Sequence, residues 1–157
     1  MKRWLLIPAV FAVAGFAFGT SNFALAQDHG AVVKERLAIM KSVSGTLKRL
    51  GKSAKAGKVG GKDAARAAKA LAGYKKFSKL FPAGSDSGMI KTRAKAEIWK
   101  DWAKFEGQAG KLVAALEGVQ MAAAAGDAGA MGKAVKAARG VCGGCHKPFR
   151  GPKPKKM

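Results

Sequence analysis

Residues 98–119 read IWKDWAKFEGQAGKLVAALEGV, and this stretch decides the fold. Its apolar side chains recur at alternating steps of four and three residues: Ile98, Trp102, Phe105, Ala109, Leu112, Leu116 and Val119. Such spacing places all of these side chains on one face of a helix. It predicts one long helix over about residues 94–125, followed by a turn at Gly126-Asp127.

Three further segments show helical periodicity, at about residues 29–52, 62–80 and 128–147. Their apolar stripes are Val33, Leu37, Met40, Ser44 and Leu47 in the first, Ala67, Leu71, Tyr74 and Phe81 in the second, and Met131, Val135, Ala138, Cys142 and Cys145 in the last. The connection over 82–93 is rich in Gly, Ser and Pro, and the others are short. Four helices joined in this way predict an all-α, up-down-up-down antiparallel four-helix bundle. Pro148 and the tail from Gly151 to Lys156 are predicted to be non-helical and frayed.

The amino-terminal residues have the order of a secretory signal peptide. The positive start Met1-Lys2-Arg3 precedes an apolar run from Trp4 to Phe18, and Ala24-Leu25-Ala26 is a small-x-small cleavage signal. An uncleaved anchor is the alternative, but the run is short for a membrane span of about 20 residues. The predicted parts are a signal peptide over 1–26, a bundle domain over 27–150 and a basic tail over 151–157. We therefore expect a periplasmic protein whose mature chain does not insert stably into a membrane.

The chain is strongly basic, with 30 Lys and Arg against 9 Asp and Glu and a formal net charge of +21. Loss of Lys2 and Arg3 with the signal peptide leaves +19 on the mature chain. A field of this sign attracts acidic partner proteins and speeds their association. Nucleic acid is not expected as a partner, because the chain is exported and its lysines are spread along its whole length.

The segment Cys142-Gly143-Gly144-Cys145-His146 carries the chemistry. Cys-x-x-Cys-His is the attachment signal for c-type haem. Two sulfurs on one helical turn can form thioethers with the two vinyl groups of a porphyrin, and the adjacent imidazole can ligate the iron. The two glycines would let the flat macrocycle lie close to the backbone. The motif predicts one haem c per chain, attached at Cys142 and Cys145 and ligated by His146.

Two other interpretations of the cysteines remain. A thioredoxin-like redox pair would open a helix after a strand, and the sequence predicts no strand. A zinc site needs four ligands, and outside the motif only His29 or a carboxylate is left to supply the fourth. On that interpretation the protein would be a structural or metal-storage bundle.

A Cys-x-x-Cys-His at the carboxyl end of a four-helix chain resembles the class II c-type cytochromes, the cytochrome c′ and cytochrome c-556 family. Similar family segments are His146-Lys147-Pro148-Phe149-Arg150, the Phe81–Ser85 segment FPAGS, the Thr92–Trp99 segment TRAKAEIW and the Arg36–Met40 segment RLAIM. The resemblance covers about residues 29–150. One departure is Ala96, near a position where relatives often carry proline.

The resemblance implies two further site residues. In this family a first-helix residue four positions after an arginine lies over the distal haem face, which here gives Met40 after Arg36. It implies that Arg36 neutralises a haem propionate. It also implies that Met40 ligates the iron, as methionine does in the low-spin cytochrome c-556 branch. By periodicity alone, Met40 is more typical of a residue that fills the core.

The resemblance therefore predicts an electron-transfer protein with a six-coordinate His146/Met40 haem, and the positive charge predicts that its redox partners are acidic. No enzymatic activity is expected, because a permanent ligand blocks the iron. The alternative is a five-coordinate cytochrome c′ that binds nitric oxide or carbon monoxide at an open distal site. A homodimer is compatible with the resemblance, since relatives often pair through their first two helices.

Overall fold

The computed structural model describes residues 29–153. Its helices are α1 (His29–Lys55), α2 (Gly61–Lys75), α3 (Glu97–Lys100), α4 (Trp102–Ala124) and α5 (Ala128–Phe149), with a 3-10 turn at Ser78–Leu80. The predicted signal peptide over 1–26 and the last residues of the predicted tail, 154–157, lie outside the described residues. No helix within residues 29–153 has the length and apolar character needed to cross a membrane.

The four long helices form a closed ring of contacts. Helix α1 packs against α2 and α5, and α4 packs against the same two helices. Each helix therefore has two neighbours, which is the arrangement of an up-down-up-down bundle. The predicted all-α four-helix architecture is confirmed.

One buried cluster joins all four long helices. Among its most completely buried large side chains are Leu50, Phe105, Leu116, Val119 and Met131. Removing a side chain of this size from water stabilises a fold by about 1.5–3 kcal/mol. The apolar face predicted for 98–119 is the buried face of α4, as the burial of Phe105, Leu112 and Leu116 shows.

The long helix predicted over 94–125 is interrupted at Asp101, where the backbone turns to φ −132° and ψ 63°. The Asp101 carboxylate accepts a hydrogen bond from the Lys104 backbone N–H at 3.2 Å. This local bond starts a new helix, because an aspartate side chain competes with the helical backbone for donors. The stretch before it forms only the short helix α3, and the Trp99 indole donates to Phe81 O at 3.1 Å.

Pro148 lies within the last turn of α5, so the prediction that it is non-helical was wrong. The segment after it is also held in place. Lys95 N–H donates to Phe149 O at 3.1 Å, and Gly151 N–H donates to Arg93 O at 2.8 Å. These bonds tie the end of α5 to the connection before α3, and Gly151 is buried rather than frayed.

The buried face of α1 is displaced from the predicted stripe. The buried residues are Val33, Arg36, Ile39, Val43, Leu47 and Leu50. Leu37, predicted to face the core, is 52% exposed, and Ser44 is exposed as well. Both residues line a cavity between the helices. The predicted stripe of α1 therefore faces partly into a space within the bundle and only partly into the packed core.

Candidate haem site

A cavity of about 700 Å³ opens between α1 and α5 and is closed behind by α2 and α4. Cys142, Cys145 and His146 reach it from α5, and Met40 reaches it from α1. The structure thus brings together on one cavity four of the five site residues predicted from the sequence. A volume of this size lies within the range of about 300–1,000 Å³ that is usual for ligand and cofactor sites.

The two cysteines are free thiols on one helical turn, each half-buried. The Cys142 thiol lies 3.5 Å from Ala138 O, to which it donates weakly. Burial raises the pKa of Cys145, and the neighbouring Cys142 raises it further. The two sulfurs do not form a disulfide and can therefore both bond to the same group.

His146 directly follows Cys145 in α5 and is half-buried. Burial lowers its pKa below the usual value, and the positive charges of Arg150 and Arg93 lower it further. A neutral imidazole keeps one ring nitrogen as an acceptor, which is the form that binds a metal ion. The local electrostatics therefore favour the ligand form of His146.

The cavity is apolar in its walls and basic in its charged residues. The apolar lining includes Leu37, Met40, Val43, Leu47, Leu112 and Val141. The charged lining residues are Lys41, Arg139 and Arg150, and none of the described lining residues is Asp or Glu. Haem has a flat apolar body and two carboxylates, so the donor set, the apolar walls and the basic residues all fit this group.

Gly144 has a neighbour that the sequence did not indicate. A Cβ at this position would lie 2.8 Å from the side-chain oxygen of Gln108 on α4, whereas a Cβ at Gly143 would meet nothing within 4 Å. Gln108 itself lines the cavity. A side chain at Gly144 would therefore push Gln108 from its place beside the motif.

Arg36 has structural partners in the connection between α2 and α3. It is 5% exposed; its Nε donates to Leu80 O at 2.6 Å, and its Nη atoms donate to the backbone oxygen and hydroxyl of Ser85. Its guanidinium carbon lies 3.9 Å from the centre of the Phe81 ring. Burial lowers its pKa to about 10. Arg36 thus fastens α1 to the 80–85 connection, and its predicted contact with a propionate stays a prediction.

The cavity is also lined by three residues to which the sequence assigned no part in the site: Arg139, Gln108 and Tyr74. Arg139 stands three residues before Cys142, and this helical spacing could have indicated it. Tyr74 was expected to be core, and it is indeed only 2% exposed. Burial, with the two cysteines nearby, raises its pKa above the usual range, so its hydroxyl stays protonated. Only the tertiary structure places Gln108 and Tyr74 beside the motif.

His29, the other histidine, lies apart from the cavity wall. A Cβ added at Gly84 would lie 3.3 Å from its Cε1, so His29 packs against the connection after α2. Within the described residues, no three His, Cys, Asp or Glu side chains come together in a cluster that could hold a metal ion.

Comparison with known proteins identifies the family of this chain. The family model described as Cytochrome C′ matches residues 31–150. A cytochrome c′ from Rhodospirillum rubrum is 33% identical over 151 residues, which are 96% of this chain and 99% of that protein. The chain belongs to the cytochrome c′ family.

Other members of the cytochrome c′ family support the same relationship. A cytochrome c′ from Pararhodospirillum photometricum is 40% identical over 89 residues, which cover 56% of this chain and 70% of that protein. The crystal structure of cytochrome c′ from Rubrivivax gelatinosus is 28% identical, with a TM-score of 0.69 over 79% of this chain and 98% of that chain. Haem c, one per chain, is the cofactor of this family, and the predicted low-spin cytochrome c-556 branch is not confirmed.

Proposed function

We propose that this protein is a periplasmic haem c protein that binds nitric oxide or carbon monoxide at an open distal haem face. The observation that carries the proposal is the relationship to cytochromes c′ over nearly the whole chain. It favours the gas-binding alternative over the six-coordinate electron carrier. The protein would act as a carrier or sensor of a small ligand and would not catalyse a reaction of its own.

Each predicted site residue has a part in this proposal. Cys142 and Cys145 would form the two thioethers, and His146, held neutral by its surroundings, would be the proximal ligand. The bound haem would supply an iron that takes a diatomic ligand. Lys41, Arg139 and Arg150 would lie near its carboxylates, since they are the cations that line the cavity.

The space around Met40 supports an open distal face. A smaller cavity of about 110 Å³ adjoins the main one and is lined by Val33, Leu37, Met40 and the aromatic rings of Phe77, Phe81 and Phe105, among others. A water molecule takes about 30 Å³ in the liquid, and a diatomic gas is of comparable size. The apolar part of this wall favours an uncharged diatomic over water, and Arg36, Arg93 and Arg150 line its polar part.

The second candidate is the six-coordinate electron carrier with His146 and Met40 as iron ligands. One observation favours it: Met40 is half-buried and lines the same cavity as His146. Thioether ligation would favour ferrous iron and raise the reduction potential. Its partners would be acidic redox proteins.

Absorption spectra with and without carbon monoxide distinguish the two candidates. The proposal requires broad high-spin bands in the wild type and rapid uptake of carbon monoxide at neutral pH. Met40→Leu should keep the high-spin spectrum, because the volume is nearly conserved and packing should change by less than about 1.5 kcal/mol. Met131→Leu, at a fully buried position outside the cavity, is the matched control.

The opposite result would establish the electron carrier. In that case the wild type is low-spin in both redox states and takes up carbon monoxide slowly. Met40→Leu then becomes high-spin with a lower reduction potential, while Met131→Leu stays low-spin. A low-spin spectrum that persists in Met40→Leu would assign the sixth position to another group and contradict both candidates.

Export and assembly are part of the proposal. The mature chain should begin after Ala26, and intact mass spectrometry of protein from a periplasmic extract measures this directly. The mature protein should therefore consist of the bundle domain over 27–150 followed by the basic tail over 151–157. Sedimentation of the haem-loaded protein tests the homodimer.

A further inference from the structure

A second cavity, of about 580 Å³, lies along the seam between α1 and α5, beyond the haem site. Its cationic lining residues are Lys48, Lys52, Lys55, Lys133, Lys136 and Arg139. We call this surface the α1–α5 groove. The α1 cations form one edge of the groove, and the α5 cations form the other.

No lining residue of the groove is Asp or Glu, and one carboxylate, that of Asp127, lies at its end, 3.4 Å from where a Cβ on Gly129 would stand. Helix α5 contains no Asp or Glu, and α1 contains only Glu35, far from the groove in sequence. The ion pairs found among residues 29–153 join Asp63, Glu35, Glu97 and Glu117 to cations outside the groove. All six groove cations are exposed. Six cations against the single carboxylate of Asp127 leave this surface strongly positive.

The shape of the groove adds to this charge pattern. The rest of the lining consists of small or apolar residues: Gly51, Ala54, Ala128, Gly129, Gly132 and Val135. A Cβ at Gly132 would lie 3.7 Å from Ala54 Cβ, so the helices approach closely at the bottom of the groove. Small apolar residues between two basic edges can accept an apolar side chain flanked by acids.

We propose that the α1–α5 groove is the docking site for an acidic amphipathic helix of a partner protein. Cations three or four residues apart on a helix are about 4.5–6 Å apart along its axis. Carboxylates at the same steps on a partner helix can match both rows, with its apolar side chains between them. A lipid surface or a polyphosphate would need the charge but not the apolar floor.

Arg139 links this surface to the haem site. It lines both cavities, and its Nη2 donates to Leu47 O at 2.9 Å across the α1–α5 seam. A helix docked in the groove would therefore lie against the wall of the haem cavity. The docking proposal does not rest on how the distal haem face behaves, since no groove cation except Arg139 lines that cavity.

The test measures binding of a labelled helical peptide to haem-loaded protein by fluorescence anisotropy. The test peptide carries two rows of Glu with a stripe of Val between them. A control peptide has Gln in place of every Glu. The groove variant is Lys52→Gln/Lys133→Gln/Lys136→Gln. The control, Lys69→Gln/Lys104→Gln/Lys111→Gln, makes the same change of net charge at exposed positions of α2 and α4.

We expect the Glu peptide to bind the wild type and the groove variant to bind it roughly tenfold more weakly, as three lost charge contacts require. The control variant should change the Kd by about twofold or less, because only the screened long-range field is reduced. Haem absorbance should be the same in all three proteins. A failed gas-binding proposal would leave these peptide results unchanged.

Three results would overturn the docking proposal. The first is no binding of the Glu peptide to the wild type, or equal binding of the Gln peptide. The second is an equal loss in the groove and control variants, which would make net charge the only factor. The third is a groove variant that loses binding to phosphatidylglycerol vesicles or polyphosphate but keeps its affinity for the peptide.

Discussion

Met40 and Met131 both lie on inward-facing sides of their helices, but in different kinds of interior. Met131 is completely buried in the cluster that contains Leu50, Leu116 and Val119. Met40 is half-buried and lines the cavity that also receives Cys145 and His146. One region is filled by the chain itself, whereas the other is shaped to receive a group that the chain does not contain.

The difference shows what helical periodicity measures. A repeat of three and four residues identifies the side of a helix that faces the bundle, but not what fills the space there. On α1 that side divides into Ile39 and Leu50, which pack against protein, and Leu37 and Ser44, which line the cavity. The two regions should therefore respond differently to substitution.

The largest expected effect is on haem attachment in the cavity region. Replacing both Cys142 and Cys145 with Ser should remove both thioethers, so all haem becomes extractable by acidic organic solvent. Haem staining after denaturing electrophoresis measures this, with the wild type as the positive control. Haem that remains covalently bound in the double variant would contradict the attachment at these two residues.

In the packed region the main effect is on stability. Met131→Ala leaves a cavity in a filled core and should lower the free energy of unfolding by about 2–5 kcal/mol. Met121→Ala, at a methionine that is 68% exposed, should change it by less than about 0.5 kcal/mol. Urea unfolding followed by circular dichroism measures both. Equal effects would mean that the region around Met131 is not packed as described.

Arg36 lies on the boundary between the two regions, and its substitution separates structural from cofactor roles. Arg36→Lys removes the guanidinium that donates to Leu80 and Ser85. It should lower the free energy of unfolding by about 1.5–3 kcal/mol. Arg49→Lys on the exposed side of α1 is the control. If the contacts with the 80–85 connection are its whole role, the haem reduction potential stays unchanged. A shifted potential would support the predicted propionate contact instead.

The smallest effect concerns the start of α5 in the packed region. The Asp127 carboxylate accepts a hydrogen bond from Ala130 N–H at 2.9 Å and caps the helix. Asp127→Ala should lower the free energy of unfolding by about 1 kcal/mol, whereas Asp127→Asn keeps an acceptor and should lose much less. The haem spectrum should not change in either variant. A spectral change would show that the two regions are coupled through α5.

The sequence by itself determined the architecture and the attachment motif. Helical periodicity and short connections are local properties of the chain, so the all-α bundle and the inward face of 98–119 could be derived from residue spacing. Cys142, Cys145 and His146 lie within one short motif, so their convergence requires nothing but a helical turn. Local hydrogen bonding was harder to foresee, as the break at Asp101 and the helical Pro148 show.

Only the tertiary structure decided which residues surround that motif. Tyr74 and Gln108 come from helices that are distant in sequence, and no spacing rule connects them to Cys145. Arg36 was assigned by resemblance to a carboxylate of the cofactor, whereas its hydrogen bonds go to Leu80 and Ser85, more than 40 residues away. The α1–α5 groove likewise exists because two helices whose cations are about 80 residues apart pack side by side. Long-range packing sets these neighbours, and it is not encoded in any local pattern.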